Sequence, residues 1–439
     1  MIASRRMRPA GRRLVAGTLL AGYASLYLCR SNFDAAVPLW IVDFGWTKTR
    51  LGAVASTSVL AYAIGKLVLG VVGDAIGGKR VLLLAMGGSV LFTALIGLTL
   101  GRGALVGGAA IVGLTVLASG NRFVQAGGWG GVVHVVSRWF PPRRHGTVMG
   151  ALSTSYELGN LLTLLLCGAL VRLGHGWRAL YLFNPALLAL FAIGLGLTLR
   201  GAPPPGPPGA PGLPGAEGAE HVPAAPRVPL REALRFLARK PSFWVAVGLS
   251  MLLTFVRTGF MTWTPTYLVE LARAAGQGST SAAIVKSTAF PAAGIIGALV
   301  AGRISDRFGP GRRAPVMVVS LALLTVAVAV LAHGHIVDVR VAALSIAACG
   351  LFLLGPYSLL GGAITLDVAG TTAASTAAGI IDGVGYIGAS LSGIVIGGVA
   401  QAYGWGRAFD VVAGATAAAT VVSGLWAWRT RRMAPAAPG

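Results

Sequence analysis

Twelve apolar runs, each long enough to cross a bilayer, decide what this chain can become. They fall near residues 14–40, 51–73, 80–101, 104–136, 147–171, 178–199, 243–268, 282–304, 314–333, 339–366, 373–400 and 406–428. About twenty apolar residues suffice for one helical crossing. Inside hydrocarbon only helices and closed barrels satisfy their own backbone, and runs of this length read as helices. The expected fold is therefore an all-α integral membrane protein with 12 transmembrane helices. Composition agrees: 11% of the 439 residues are charged and mean hydropathy is +0.75, against about 25% charged in a soluble domain. The opening MIASRRMRPAGRR looks like the charged start of a signal peptide. The apolar run after it is too long and carries Arg30, so an uncleaved first helix is expected.

The net charge of +23 would suit a nucleic-acid partner, but its placement argues against one. With both termini inside, 23 of the 36 Lys and Arg lie in inner segments and 9 in outer loops and helix ends, leaving Arg30, Lys66, Arg122 and Arg257 within spans. That bias predicts a multi-pass plasma (inner) membrane protein with both termini cytoplasmic. Cys29, Cys167 and Cys349 all lie in apolar runs and read as small packing residues, with no disulfide, metal or cofactor expected.

Proline and glycine dominate residues 201–226, which cannot build a packed core. Pro229 to Lys240 then reads as a short amphipathic helix, with Leu230, Ala233, Leu234 and Leu237 on one face and Arg231, Arg235, Arg239 and Lys240 on the other. It should lie along the inner membrane surface. The predicted organisation is a cytoplasmic segment 1–13, a six-helix bundle 14–199, a linker 200–241, a second six-helix bundle 242–428 and a tail 429–439.

The two halves repeat. Arg30 and Arg257 sit inside the first run of each half, followed at three positions by Phe33 or Phe260, at eight by Pro38 or Pro265, and at thirteen by Asp43 or Glu270. A charge at the centre of a membrane helix costs roughly 2.5–3.5 kcal/mol on the insertion scale. Two at matched positions point to use, and an always-charged guanidinium fork suits an anion. A second element also occurs twice: Gly70, Asp74, Gly77, Lys79 and Arg80 between spans two and three, and Gly302, Asp306, Arg307, Gly309, Arg312 and Arg313 between spans eight and nine. Both fit G-x-x-x-D-x-x-G followed by basic residues. The glycines permit a tight turn and close helix contact, and the aspartate can meet basic groups and a helix amino terminus, holding an inner gate shut.

This element resembles the loop signature of the major facilitator superfamily, and its double occurrence with a six-plus-six layout implies two pseudo-twofold-related six-helix bundles. The likeness extends further. Tyr27-Leu-Cys-Arg30-Ser-Asn32-Phe33, Ala61-Tyr62 to Lys66, Asn121 to Gln125-Ala-Gly-Gly128-Trp129 and Gly146 to Gly150 stand in the first half. Arg257 to Trp263-Thr-Pro265-Thr-Tyr267-Leu268, Gly355-Pro356, Thr376 to Gly379 and Gly383 to Gly388 stand in the second. From about residue 20 to 410 the chain is similar to the organophosphate:phosphate antiporter family of bacterial glycerol-phosphate and hexose-phosphate transporters and animal glucose-phosphate transporters. The resemblance implies that Arg30 and Arg257 hold a phosphoryl group at the midplane, with Lys66 as a third cation. Gln125, Trp129, Trp263 and Tyr267 complete the implied substrate site, and two residues outside the family pattern join it as candidates: Tyr156, and Asp382 in span eleven, an intramembrane acid that pairs with a cation or meets a polar substrate group. The implied substrates are a phosphate ester and inorganic phosphate, carried by a monomer that is not an enzyme.

Departures from that pattern bear on specificity. The bacterial sugar-phosphate members have a histidine in span five where this chain has Tyr156, followed by Glu157. Arg122 stands where the family has glycine, and Asp34 follows Arg30 by one turn. An Arg122–Glu157 pair between neighbouring spans is expected, because an intramembrane charge needs a counter-charge. The acids leave two other functions open: a proton-coupled carboxylate or drug transporter using Glu157, Asp34 or Asp382, and a sugar-phosphate sensor that moves nothing.

Overall fold

The computed structural model describes residues 9–102, 106–140, 148–149, 151–199, 230–308 and 313–433. The proline-rich linker, Gly309 and Arg312 lie outside the described residues, as do the side chains of Asp74 and Asp306. Among the described residues every regular element is a helix.

The first crossing is not one helix. α1 (Pro9–Ser25) passes into a 3-10 turn (Leu26–Cys29), and α2 (Asn32–Phe44) resumes beyond Arg30 and Ser31. Ser25 bonds back to the Gly22 carbonyl at 2.8 Å, competing with the regular ladder. Then follow α3 (Lys48–Ile76), α4 (Gly78–Thr99), α5 (Gly107–Gln125), α6 (Gly127–Trp139), α7 (Ser155–Arg172) and α8 (Trp177–Thr198). The predicted amphipathic segment is α9 (Leu230–Ala238). α10 (Pro241–Ala274), α11 (Thr280–Lys286), α12 (Ala289–Phe308), α13 (Ala314–His333) and α14 (Val339–Leu359) lead through a π turn (Leu360–Ile364) into α15 (Thr365–Met433).

Ten described stretches are long and apolar enough to cross a membrane, and the difference from twelve has two causes. The broken first crossing offers pieces of 17 and 13 residues, each too short alone. The stretch Ala377–Arg429, at 53 residues, would extend about 80 Å if straight, well over one bilayer. It reverses instead. Ile396 lies against Gly259 while Phe409 stacks on Phe260 with centroids 6.3 Å apart, so two residues thirteen positions apart meet neighbouring residues of α10. Gly404 between them has φ +85°, open to glycine and costly for other residues. Two crossings therefore share the one continuous stretch.

By proximity the chain forms two compact units. The first takes the chain up to Phe33, Ala61–Thr163 and the part from His175 into the linker; the second takes Asp34–Leu60, Leu164–Gly174 and everything from residue 225 on. This partition cuts through spans one, two and five, unlike the one drawn by the internal repeat. In the first unit Leu82, Met86, Leu114, Leu180 and Leu188 are fully buried between α4, α5 and α8. Gly77 turns α3 into α4 with φ +87°, and Gly78 brings α4 against Gly131 of α6, which is the tight turn and close contact the loop motif predicts. In the second unit Leu249, Leu253, Ile284, Phe290, Leu321 and Leu324 form the core. There Gly52 of α3 and Gly393 of α15 touch so closely that a methyl on either would meet the other's carbonyl.

Candidate functional site

The break in the first crossing strands backbone carbonyls in the membrane, where each needs a donor. Polar side chains supply them. Asn121 of α5 donates to the Cys29 carbonyl at 2.6 Å and Asn184 of α8 to Leu28 at 3.1 Å. Gln125 donates to Cys29 at 3.1 Å and Leu26 at 3.4 Å, and Arg122 reaches the Arg30 carbonyl at 3.5 Å. Three buried amides in apolar runs thus have a structural reason to be there.

Arg30 is held at this break. Its Nε donates to Gln125 Oε1 at 2.9 Å, and the Gln125 Nε2 in turn donates to Asn121 Oδ1 at 3.1 Å. The guanidinium carbon stands 4.6 Å from the Tyr62 ring centre and 5.0 Å from that of Tyr27, with a 3.4 Å contact to the Tyr27 hydroxyl. Ring quadrupoles hold the cation without neutralising it. Lys66, one turn beyond Tyr62 on α3, places its ammonium 5.6 Å from the same ring. Sharing one ring puts the two cations within about 10 Å of each other. Arg30 and Lys66 are both half-buried, whereas Gln125 is 1% exposed.

An aromatic cluster adjoins this pair. Tyr23, Trp129 and Tyr156 stand 5.1, 5.5 and 4.9 Å apart pairwise, and Tyr23 links them to Tyr27 at 6.4 Å. The predicted Trp129 and Tyr156 are thus brought together. Tyr23 was not singled out by the sequence; its only signal was a position four residues before Tyr27, on one helical face. Glu157 is half-buried beside Tyr156 at the start of α7.

The second unit holds Arg257 on α10. Its guanidinium carbon lies 5.1 Å from the ring centre of Tyr357, which directly follows Gly355-Pro356 in α14. Each paired arginine therefore rests on tyrosine, a feature the repeat itself did not reveal. Trp263 and Tyr267, 2% and 6% exposed, pack edge-to-face against Trp405 and Phe409 with centroids 5.0 to 6.1 Å apart. Both spend most of their surface on helix packing. Asp382 lies on an exposed face of α15, one turn before Tyr386.

Two ion-pair clusters stand at opposite ends of α10's neighbourhood. Beside the second loop motif, Arg313 pairs with Asp367 at 3.2 Å and reaches Ser305 at 3.4 Å, tying the ends of α12, α13 and α15 together. Arg307 and Arg80 of the two motifs are exposed. At the far end Glu270 takes the Lys48 ammonium at 2.9 and 3.1 Å and the Trp405 indole N–H at 2.7 Å. Lys48 also lies over the Trp405 ring at 5.1 Å.

Comparison with known proteins agrees with this architecture. Residues 19–389 and 277–439 match the family model of the Major Facilitator Superfamily. The glycerol-3-phosphate transporter of Bacillus subtilis is 26% identical over 95% of this chain and 92% of its own. A probable hexose phosphate transport protein of Chlamydia pneumoniae is 27% identical over 88% and 85%, and the membrane sensor protein UhpC of Escherichia coli 26% over 91% and 89%. Among solved structures, an inward-facing bacterial homologue of the lysosomal transporter Spinster superposes with TM-score 0.78 at 16% identity, covering 98% of this chain and all of that one. This chain is a membrane transporter of the major facilitator superfamily, akin within it to the organophosphate:phosphate antiporters.

Proposed function

We propose that this protein carries a small phosphate ester across the membrane in exchange for inorganic phosphate, gripping the phosphoryl group with Arg30 and Arg257. The observation that carries the reading is Arg30 held at a broken membrane helix, its guanidinium fixed by Gln125 and cushioned by Tyr27 and Tyr62. Its repeat partner Arg257 rests on Tyr357 in the same manner. The named activities of the relatives supply the substrate class.

In this reading the two six-span halves rock about a central cavity, into which both arginines project, and both termini face the cytoplasm. A monomer suffices. Arg30 and Arg257, facing each other from the two halves, repel across an empty site in a low dielectric, so the empty carrier resists closure. A bound phosphate removes that barrier, which makes exchange obligatory without an ion gradient. Arg122 and Glu157 offset each other's charge beside the site, leaving its net charge positive. The glycine-aspartate loops act at the inner gate, with Arg313 and Asp367 beside the second of them. The aromatic cluster of Tyr23, Trp129 and Tyr156 meets the organic part of the ester, and Tyr156 replaces a cationic histidine with a hydrogen-bonding hydroxyl.

A sensor is the second reading, because a relative of equal similarity bears that name. Counterflow into proteoliposomes preloaded with inorganic phosphate, challenged with glycerol phosphates and hexose phosphates in turn, tests both. Ester uptake driven by internal phosphate is the expected result; saturable binding with no flux would establish the sensor.

A further inference from the structure

α9 offers two kinds of surface at once, and the membrane is the partner that satisfies both. The helix is fixed in place: Leu237 is 1% exposed, Lys240 donates to the Val368 carbonyl of α15 at 3.0 Å, and the Trp244 indole donates to the Ala238 carbonyl at 2.9 Å. Yet Leu234, Phe236 and Trp244 remain 41%, 45% and 56% exposed around this joint. Arg235 and Arg239, one turn apart, are exposed on the adjoining face, and Arg231 continues their row in the sequence. Glu232 is the acid within α9, so Arg231, Arg235, Arg239 and Lys240 leave the segment strongly basic.

In water three large apolar side chains beside two arginines are a poor surface. At a lipid interface they are the favoured one, because Trp and Phe settle at headgroup depth while guanidinium forks meet phosphates. Trp244 stands in the first turn of α10, the first crossing of the second half, and so marks the level of that interface. Lys240 completes the arrangement, its ammonium 4.1 Å from the Phe236 ring centre and committed to α15.

We propose that the α9 face formed by Arg235, Arg239, Leu234, Phe236 and Trp244 is a binding surface for anionic phospholipid headgroups in the leaflet on the linker side. Bound lipid braces the entry to α10, the helix that carries Arg257. A basic residue near an anionic membrane contributes about fivefold in affinity, and the contribution is screened by salt. Losing both exposed arginines therefore weakens binding by roughly twentyfold.

The test titrates detergent-solubilised full-length protein with phosphatidylglycerol or phosphatidylcholine and follows the unfolding temperature, since a ligand of the folded state raises it. Phosphatidylglycerol should stabilise the wild type more than phosphatidylcholine does. R235Q/R239Q should need about twentyfold more phosphatidylglycerol for the same rise and should melt with the wild type in phosphatidylcholine. The exposed pair R340Q/R407Q, at the other end of the spans, should behave as wild type. Inorganic phosphate, directed to the transport site, should stabilise wild type and R235Q/R239Q equally; failure of phosphate alone would count against the transport reading and leave this one standing. Equal phosphatidylglycerol titrations in wild type and R235Q/R239Q would overturn the proposal. So would a response that survives R235Q/R239Q and vanishes on deleting residues 203–226, which would put the lipid contact in the linker.

Discussion

The contact of Lys48, Glu270 and Trp405 joins the start of the second span to the end of the seventh and the start of the twelfth. If the two six-span halves alternate, a contact made across them at one face must break whenever the site opens to that face. Its strength can be bracketed from the geometry. Exposed ion pairs are worth about 0.2–1 kcal/mol, while hydrogen bonds to charged groups reach about 1.5–3 kcal/mol. Here the ammonium meets both carboxylate oxygens, the side chains are 13% and 32% exposed, and the indole fixes the carboxylate. A coupling of about 1.5–2 kcal/mol follows, or ten- to thirtyfold in an equilibrium.

The assay places one cysteine at Ser56, whose hydroxyl accepts from the Ile394 N–H at 2.9 Å in the same interface. Native Cys29, Cys167 and Cys349 are replaced by alanine. An impermeant maleimide is applied to the face away from the linker. Glu270→Gln should raise the labelling rate ten- to thirtyfold, Lys48→Gln should do much the same, and the double variant should add little to either. Additive effects, or rates unchanged from wild type, would mean that this contact does not hold that face closed.

Three further outcomes are expected. Gln125→Leu removes the Arg30 Nε acceptor and the donor to Leu26. At about 1–3 kcal/mol for each buried group left unmet, it should lower the unfolding temperature by several degrees and weaken phosphate binding at least tenfold; calorimetry and equilibrium dialysis read both. Lys66→Ala should leave phosphate binding within about tenfold of wild type and cut turnover more, because its ammonium stands off Arg30 across the Tyr62 ring; binding and exchange rates measured on one preparation separate the two. Tyr156→Phe should change preference among esters while phosphate–phosphate exchange persists, since its ring packs with those of Tyr23 and Trp129 and the main grip falls to the arginines; competition by a series of esters against labelled phosphate checks it.

Much of this molecule was legible in the sequence, because a bilayer imposes a length and a polarity that apolar runs report directly. The paired Arg30 and Arg257 were visible for the same reason: charge is conspicuous in hydrocarbon. The break at Leu26–Cys29 was not, since hydropathy says nothing of where a helix ladder fails. Its indirect trace was the set Asn121, Gln125 and Asn184, amides in apolar runs whose reason becomes clear once stranded carbonyls face them. Tyr62 and Tyr357 escaped notice as partners of the arginines because a cation over a ring depends on which faces meet, not on spacing. Trp263 and Tyr267 stood out as motif residues, yet their rings lie edge-to-face in an aromatic cluster with Trp405 and Phe409 that the sequence places more than a hundred positions away.

A phosphoryl group held by two guanidiniums should drive an obligatory exchange. The most direct measurement is efflux of labelled inorganic phosphate from proteoliposomes, with and without unlabelled phosphate outside, for the wild type, Arg30→Lys and Arg257→Lys. Wild-type efflux should require external phosphate and ignore a proton uncoupler. Both lysine variants should lose efflux, since an ammonium keeps the charge but loses the bidentate fork. Wild-type efflux that proceeds into phosphate-free buffer and collapses with the uncoupler would mean proton-coupled transport, and lysine variants that exchange at wild-type rates would exclude the bidentate grip.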